Sequence, residues 1–193
     1  MRNSLLAAGL IGLAIAGAPA IAQDNTGSAM GAGTMSANDV GAQPMTGTPS
    51  TNYVAWAADS DMYEIQSSQM ALSKAKSDGV KQFAREMIQD HKTTTKTLMA
   101  ALPKTDPKVA KPPMKPAAPT QAKLDQLRQA DGASFDSLYL QQQMQAHQQA
   151  WALHKGYATD GSDPALKQVA VAAVPIIEKH LQHLKSMPAG SGM

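Results

Sequence analysis

Four stretches of this chain repeat apolar residues at three- and four-residue steps, the period of an α-helix and not of a strand. In the first, Asn52 is a good N-cap and the stripe is Val54, Ala58, Asp61, Ile65, Ser68, Leu72 and Ala75, closed by the turn pair Asp78-Gly79. The second carries Val80, Ala84, Met87, His91, Thr94, Leu98 and Leu102, and Pro103 stops it. The third, capped by Ser134 and running to about Tyr157, carries Leu140, Met144, His147, Trp151 and His154. Asp160-Gly161 turns the chain. Asp163-Pro164 then starts the fourth, an N-cap aspartate followed by proline at the first helical position. Its inward residues are Leu166, Val169, Ala170, Ala173, Ile177, His180, Leu181 and Leu184. Pro175 lies within it and predicts a kink, because the apolar phase continues past the proline.

The links between these segments are unequal. Two are tight turns. The third, residues 103–119, holds six prolines and four lysines and reads as an extended connection, followed by a short helix from Thr120 to Ala130. The expected fold is all-α: a four-helix bundle over residues 52–187 with one long Pro-rich crossover containing a short helix, the ferritin-like connectivity.

The flanks read differently. Arg2, the apolar run Leu5 to Ala16, the breakers Gly17 and Pro19, and Ala20-Ile21-Ala22 make residues 1–22 a signal peptide, cleaved after Ala22. The run is too short and too interrupted for a spanning helix, so the mature chain is expected to be exported to a periplasm with no transmembrane segment. Residues 23–51, rich in Gly, Met, Ser and Thr and without aromatics before the bundle, are expected to be a disordered arm. Its Met30, Met35 and Met45 have sulfurs that suit Cu(I). Methionine is as scattered elsewhere and the arm has no histidine, which favours the plainer reading. Residues 188–193 are expected to form a flexible tail.

Composition removes several functions. With no cysteine, there is no disulfide framework, thiolate zinc site, iron–sulfur cluster or nucleophilic thiol. A formal charge of +2 from 17 basic and 15 acidic residues does not point to nucleic acid. The partners left open are an envelope surface, through the lysine–proline strip, and another protein.

The apolar stripes are interrupted by polar groups that point the same way. Counting ~1.5 Å of rise per residue from the turns, Glu64, His91, His147 and His180 fall near mid-height of their helices, His180 less centrally. Two readings stand side by side. One is a metal site for Zn, Cu or Fe, since neutral imidazole suits all three. The other is a hydrogen-bonded polar layer, in which Asp61-x-x-Glu64 is a capping pair. His154 and His183 are expected at the rim. The run 141–149, QQQMQAHQQ, is expected to be a polar helix surface broken by Met144 and His147. Asp136 is read as a first-turn acid favouring the helix dipole.

Several patches together resemble a known family: Tyr63-Glu64-Ile65 with Gln69-Met70-Ala71-Leu72 and Ala75; MIQDHK at 87–92; FDSLYLQQQMQAH at 135–147; and Leu166-Lys167 through Pro175 to EKHLQHL at 178–184. The chain is similar to the bacterial domain-of-unknown-function family 4142, exported proteins of ferritin-like fold, over about residues 52–186. The resemblance implies a helical bundle and supplies no activity. Ferritin-like di-iron sites use Glu-x-x-His on two helices. Here Ile88 precedes His91 by three and Ile177 precedes His180 by three, so those motifs are absent. No catalytic residue is assigned. The expected function is a non-catalytic binding or stress-related bundle; the alternative is a metal-binding or redox protein using Glu64, His91, His147 and His180.

Overall fold

The computed structural model describes residues 35–187. The expected signal peptide, the first part of the arm (23–34) and the tail (188–193) lie outside the described residues.

The described chain is an all-α helical bundle. Its helices are α1 (Ala37–Val40), α2 (Ser50–Lys74), α3 (Asp78–Ala101), α4 (Ala118–Gln129), α5 (Gly132–Asp160) and α6 (Pro164–Ser186), with a 3-10 turn at Leu102–Lys104. Helix α2 packs on α3 and on α5, α6 packs on α5 and on α3, and α4 lies across α2 and α5.

The chain signals explain most of the boundaries. Ser77 caps α3 by accepting the Val80 N–H, and Asp163 caps α6 by accepting the Leu166 N–H. Two expected caps are displaced. Helix α2 begins at Ser50 behind Pro49, which places Asn52 in its first turn, and α5 begins behind Asp131, which places Ser134 inside it. The Asp78-Gly79 pair likewise sits in the first turn of α3, not in the turn before it. Asp136 does more than bias a dipole. Its carboxylate accepts the Lys76 and Ser77 N–H groups and so clamps the α2–α3 link.

Helix α6 runs unbroken through Pro175. The proline frees the carbonyl of residue 171. Val171 is 56% exposed, so the lost bond falls on the solvent-facing stripe of the helix, where an unpaired carbonyl costs least.

The Pro-rich crossover is tied down at both ends. The Asp106 N–H donates to Asp163, the Val109 N–H donates to Thr105 Oγ1, and the Ala117 N–H donates to Asp59.

Residues 35–49, expected to be disordered, lie along the bundle. Ser36 and Asp39 form a capping box on α1, and Val40 is buried against Trp151, Ile177 and Leu181. The Met45 N–H donates to the Ala152 carbonyl at 2.7 Å, and the Gly47 N–H to Asp160. A few tertiary contacts of this kind order a segment whose composition alone does not, since fully burying a Val-sized side chain contributes about 1.5–3 kcal/mol.

Besides the cluster around Trp151, Ile177 and Leu181 that seats Val40, two larger apolar clusters fill the bundle. One holds Tyr63, Phe83, Met87, Leu124, Leu127, Phe135, Tyr139, Ala146 and Leu184. The other holds Tyr53, Ala58, Leu98, Leu153, Tyr157, Leu166 and Ala170. On the long helices Asp61, His91, His147 and His180 fall between the residues given to these two clusters, with Glu64 beside Tyr63 at the edge of the first. The polar layer is therefore sandwiched between dry slabs.

Candidate metal centre

The three expected core histidines meet. His91 from α3 is 3% exposed, and His147 from α5 and His180 from α6 are both fully buried. Their ring centroids are 5.2–5.6 Å apart. One ligand atom from each lies within 4.8 Å of the others.

The outer nitrogen of each ring is held by an acceptor. His91 Nδ1 is 2.8 Å from Asp61 Oδ1, His147 Nδ1 is 2.9 Å from the Gln143 carbonyl oxygen, and His180 Nε2 is 2.9 Å from Asp90 Oδ2. A carbonyl or carboxylate accepts, so each of these nitrogens carries the proton. This assignment follows from the partners, as the tautomer of a histidine must. The neutral rings then turn their lone pairs inward, at His91 Nε2, His147 Nε2 and His180 Nδ1.

Two of these lone pairs face each other. His147 Nε2 and His180 Nδ1 are 3.1 Å apart. A hydrogen bond there needs a second proton on one ring. Burial opposes it: it holds His147 well below the ordinary imidazole range and His180 down at about 3. Two acceptors so placed repel each other unless a proton or a cation lies between them. Tetrahedral coordination at ~2.0–2.1 Å sets donor nitrogens ~3.3 Å apart, close to this separation. His91 Nε2 is buried and has no hydrogen-bond partner.

His91 differs from the other two. Although its burial works the other way, the bond and charge of Asp61, with the charge of Glu64, keep its ring above the ordinary value. Asp61 is thus the central support. Its Oδ1 accepts from His91 and from Thr94 Oγ1, and its Oδ2 accepts from Thr95 Oγ1, all at 2.8 Å. The capping pair expected of Asp61 and Glu64 does not form, because α2 begins at Ser50 and both residues are mid-helix.

Glu64 is buried in the same layer, 1% exposed, with neither carboxylate oxygen hydrogen-bonded. Its Oε1 is 3.5 Å from His147 Nδ1, the nitrogen that faces away from the other rings. Burial pushes its carboxyl up to about 7, against the charge of His91. Glu64 therefore stands behind His147 and not among the converging atoms.

Outside His180 the layer continues to the surface. Asp90 and Glu86 on α3 face His183 and Lys179 on α6. His183 Nδ1 is 3.0 Å from Glu86 Oε2, and Lys179 Nζ is 2.6 Å from Glu86 Oε1 and 3.9 Å from Asp90 Oδ2. Glu86, Asp90 and His180 form a second set of converging donors.

Other sequence expectations shift. His183 is at the rim, but His154 is buried and its Nδ1 pairs with the Tyr53 hydroxyl at 3.0 Å. Gln142 and Gln143 are also buried. Tyr63 donates to Gln142, and Gln143 donates to Ser67. Glu178, buried with one oxygen unpartnered, accepts the Trp151 indole N–H at 3.0 Å. Asp90 and Glu178 lie in two of the patches that carry the family resemblance, MIQDHK and EKHLQHL, but no site role is read for them in the sequence. Asp90, directly before a core histidine, was the more readable of the two.

The protein is thus an all-α bundle with three convergent buried imidazoles, each backed by an acceptor. It belongs to the family described as "Domain of unknown function (DUF4142)", whose model matches residues 35–187. Among solved structures it is similar to the DUF305 protein of Streptomyces coelicolor. Identity is 16%, covering 68% of this chain and 88% of that one, with a TM-score of 0.53. That likeness concerns the fold alone. No curated protein matches.

Proposed function

We propose that this chain is an exported metal-binding protein of ferritin-like four-helix design, in which His91, His147 and His180 hold one transition-metal ion of the Zn, Cu or Fe class. The observation that carries the reading is the pair of inward lone pairs at 3.1 Å, with the unpartnered His91 Nε2 beside them. Histidine ligands to metals characteristically donate their other N–H to a carboxylate or carbonyl, which fixes the ring and raises its basicity. Asp61, Gln143 and Asp90 stand in that relation to the three rings. Glu64 balances the ion's charge from behind His147. The role is binding without turnover: the Glu-x-x-His sets of di-iron oxygen chemistry are replaced by Ile88 and Ile177 at the glutamate positions.

The test is a melting curve with added Zn(II), Cu(II) or Fe(II), read beside elemental analysis of the purified protein. An ion present at a hundred times its dissociation constant adds about 2.7 kcal/mol to the folded state. One of the three ions should raise the melting temperature, and the triple variant of His91, His147 and His180 to Ala should not respond. An unchanged melt with all three metals and metal-free purified protein would end the proposal.

A further inference from the structure

The buried trio needs a path from solvent, and two faces of the bundle carry a carboxylate bonded to one of its rings, Asp61 on one and Asp90 on the other. The first is a crevice lined by Thr93, Thr94, Thr97, Ala172 and Ile176 that ends on Asp61 and His154. Its volume is about 40 Å³, room for about one water, and its neutral walls offer a hydrated cation nothing. Both oxygens of Asp61 at its end are already occupied by His91, Thr94 and Thr95.

The second face is the α3–α6 rim. There the His180 ring is the partition: its Nε2 meets Asp90 on the outside, and its Nδ1 meets His147 on the inside. Asp90 and Glu86 are about a quarter exposed at the side chain, and Lys179 is 65% exposed. The Lys179 ammonium sits where an arriving cation would first be held, between the two carboxylates. Burial raises Glu86 less than the Lys179 and His183 contacts lower it, so its carboxyl lies below the usual glutamate range.

We infer that metal ions are loaded into the His91–His147–His180 centre across His180 from the Glu86–Asp90–His183 rim, with Lys179 as a tethered counter-ion that must swing away. This rests on the metal-binding reading above and adds the route and its control. The rim is a charge funnel acting on rate. It is not a second permanent site, because its acids are already paired with Lys179, His180 and His183. Fields of this kind act on association more than on final affinity, and they weaken with salt. Lys179 is long, solvated and on one flexible stem, so its departure costs little.

Stopped-flow binding of Co(II), followed by its visible absorption, tests this on the full-length chain with Glu86→Gln, Lys179→Met and Thr97→Val variants. Glu86→Gln should slow association by about two- to fivefold and flatten its salt dependence. Lys179→Met should speed it by a similar factor. Thr97→Val should leave the rate unchanged. All four proteins should reach one Co(II) per chain with the same spectrum. Unaltered rates in both rim variants with that stoichiometry intact would overturn the loading route and leave the centre standing, as would slowing in Thr97→Val alone. No Co(II) bound by the wild-type chain, with the three metals of the melting test also without effect, would remove the centre and the route together.

Discussion

Replacing Asp61 by Asn probes the support of the centre without touching a ligand. The carboxylate accepts three bonds, two at Oδ1 from His91 and Thr94 and one at Oδ2 from Thr95. An amide can keep only one oxygen. The orientation that loses least puts the oxygen at Oδ1 and the NH2 toward Thr95, whose hydroxyl already has a second acceptor in the His91 carbonyl at 2.8 Å. The rings therefore keep their places, and what disappears is the negative charge behind His91. Loss of such an outer partner weakens metal binding by about 10- to 100-fold, about 1.4–2.7 kcal/mol. Competition against a chelator of known affinity measures it. Thr95→Val, which leaves the charge, is the control and should change affinity by less than about threefold. An Asp61→Asn protein that folds and binds metal as tightly as wild type would refute the assignment of His91 as a ligand through Nε2.

Three further outcomes follow from the packing. Burial lowers His154 to about 4, against ~6.5 in the unfolded chain. Between these values the unfolded state binds the proton and the folded state does not, so this residue's contribution is full above pH 6.5 and falls as pH drops to 4, by up to about 3 kcal/mol. His154→Gln, which still accepts from Tyr53, should therefore lose less stability than wild type over that window in urea titrations; parallel curves would contradict the burial argument. Trp151→Phe removes the one donor to buried Glu178 and should cost about 2–4 kcal/mol in the same assay. Gly156→Ala, ordinarily favourable in a helix, would set a Cβ 2.0 Å from the Met45 carbonyl oxygen. It should destabilise by about 1–3 kcal/mol and expose residues 42–48 to limited proteolysis.

The helices were legible because a 3.6-residue period survives any tertiary detail, and the mid-height of the histidines followed from rise per residue alone. The failures have physical causes. The stretch 35–49 is held by contacts to α5 and α6 that no local pattern encodes. His154 lies on the expected stripe seven residues after His147, but α5 continues to Asp160, so a position that looked terminal is inside. Gln142 and Gln143 were hidden by composition: the glutamine run reads as surface, whereas helical phase turns Gln143, one turn before His147, toward Ser67 and Gln142 toward Tyr63 and Gln126. The outer partners of the rings depend on how each helix is rotated against its neighbour. Asp90 faces α6 only because α3 is turned that way, and spacing along one helix does not carry that information.

X-ray absorption at the zinc edge, on protein loaded with one equivalent of Zn(II), reads directly whether His91, His147 and His180 hold the ion. The ion should show nitrogen or oxygen neighbours at ~2.0–2.1 Å, with the outer-shell scattering of three imidazoles, lost in the triple histidine variant. A shell of oxygen neighbours without imidazole scattering, or a spectrum the triple variant leaves unchanged, would contradict it.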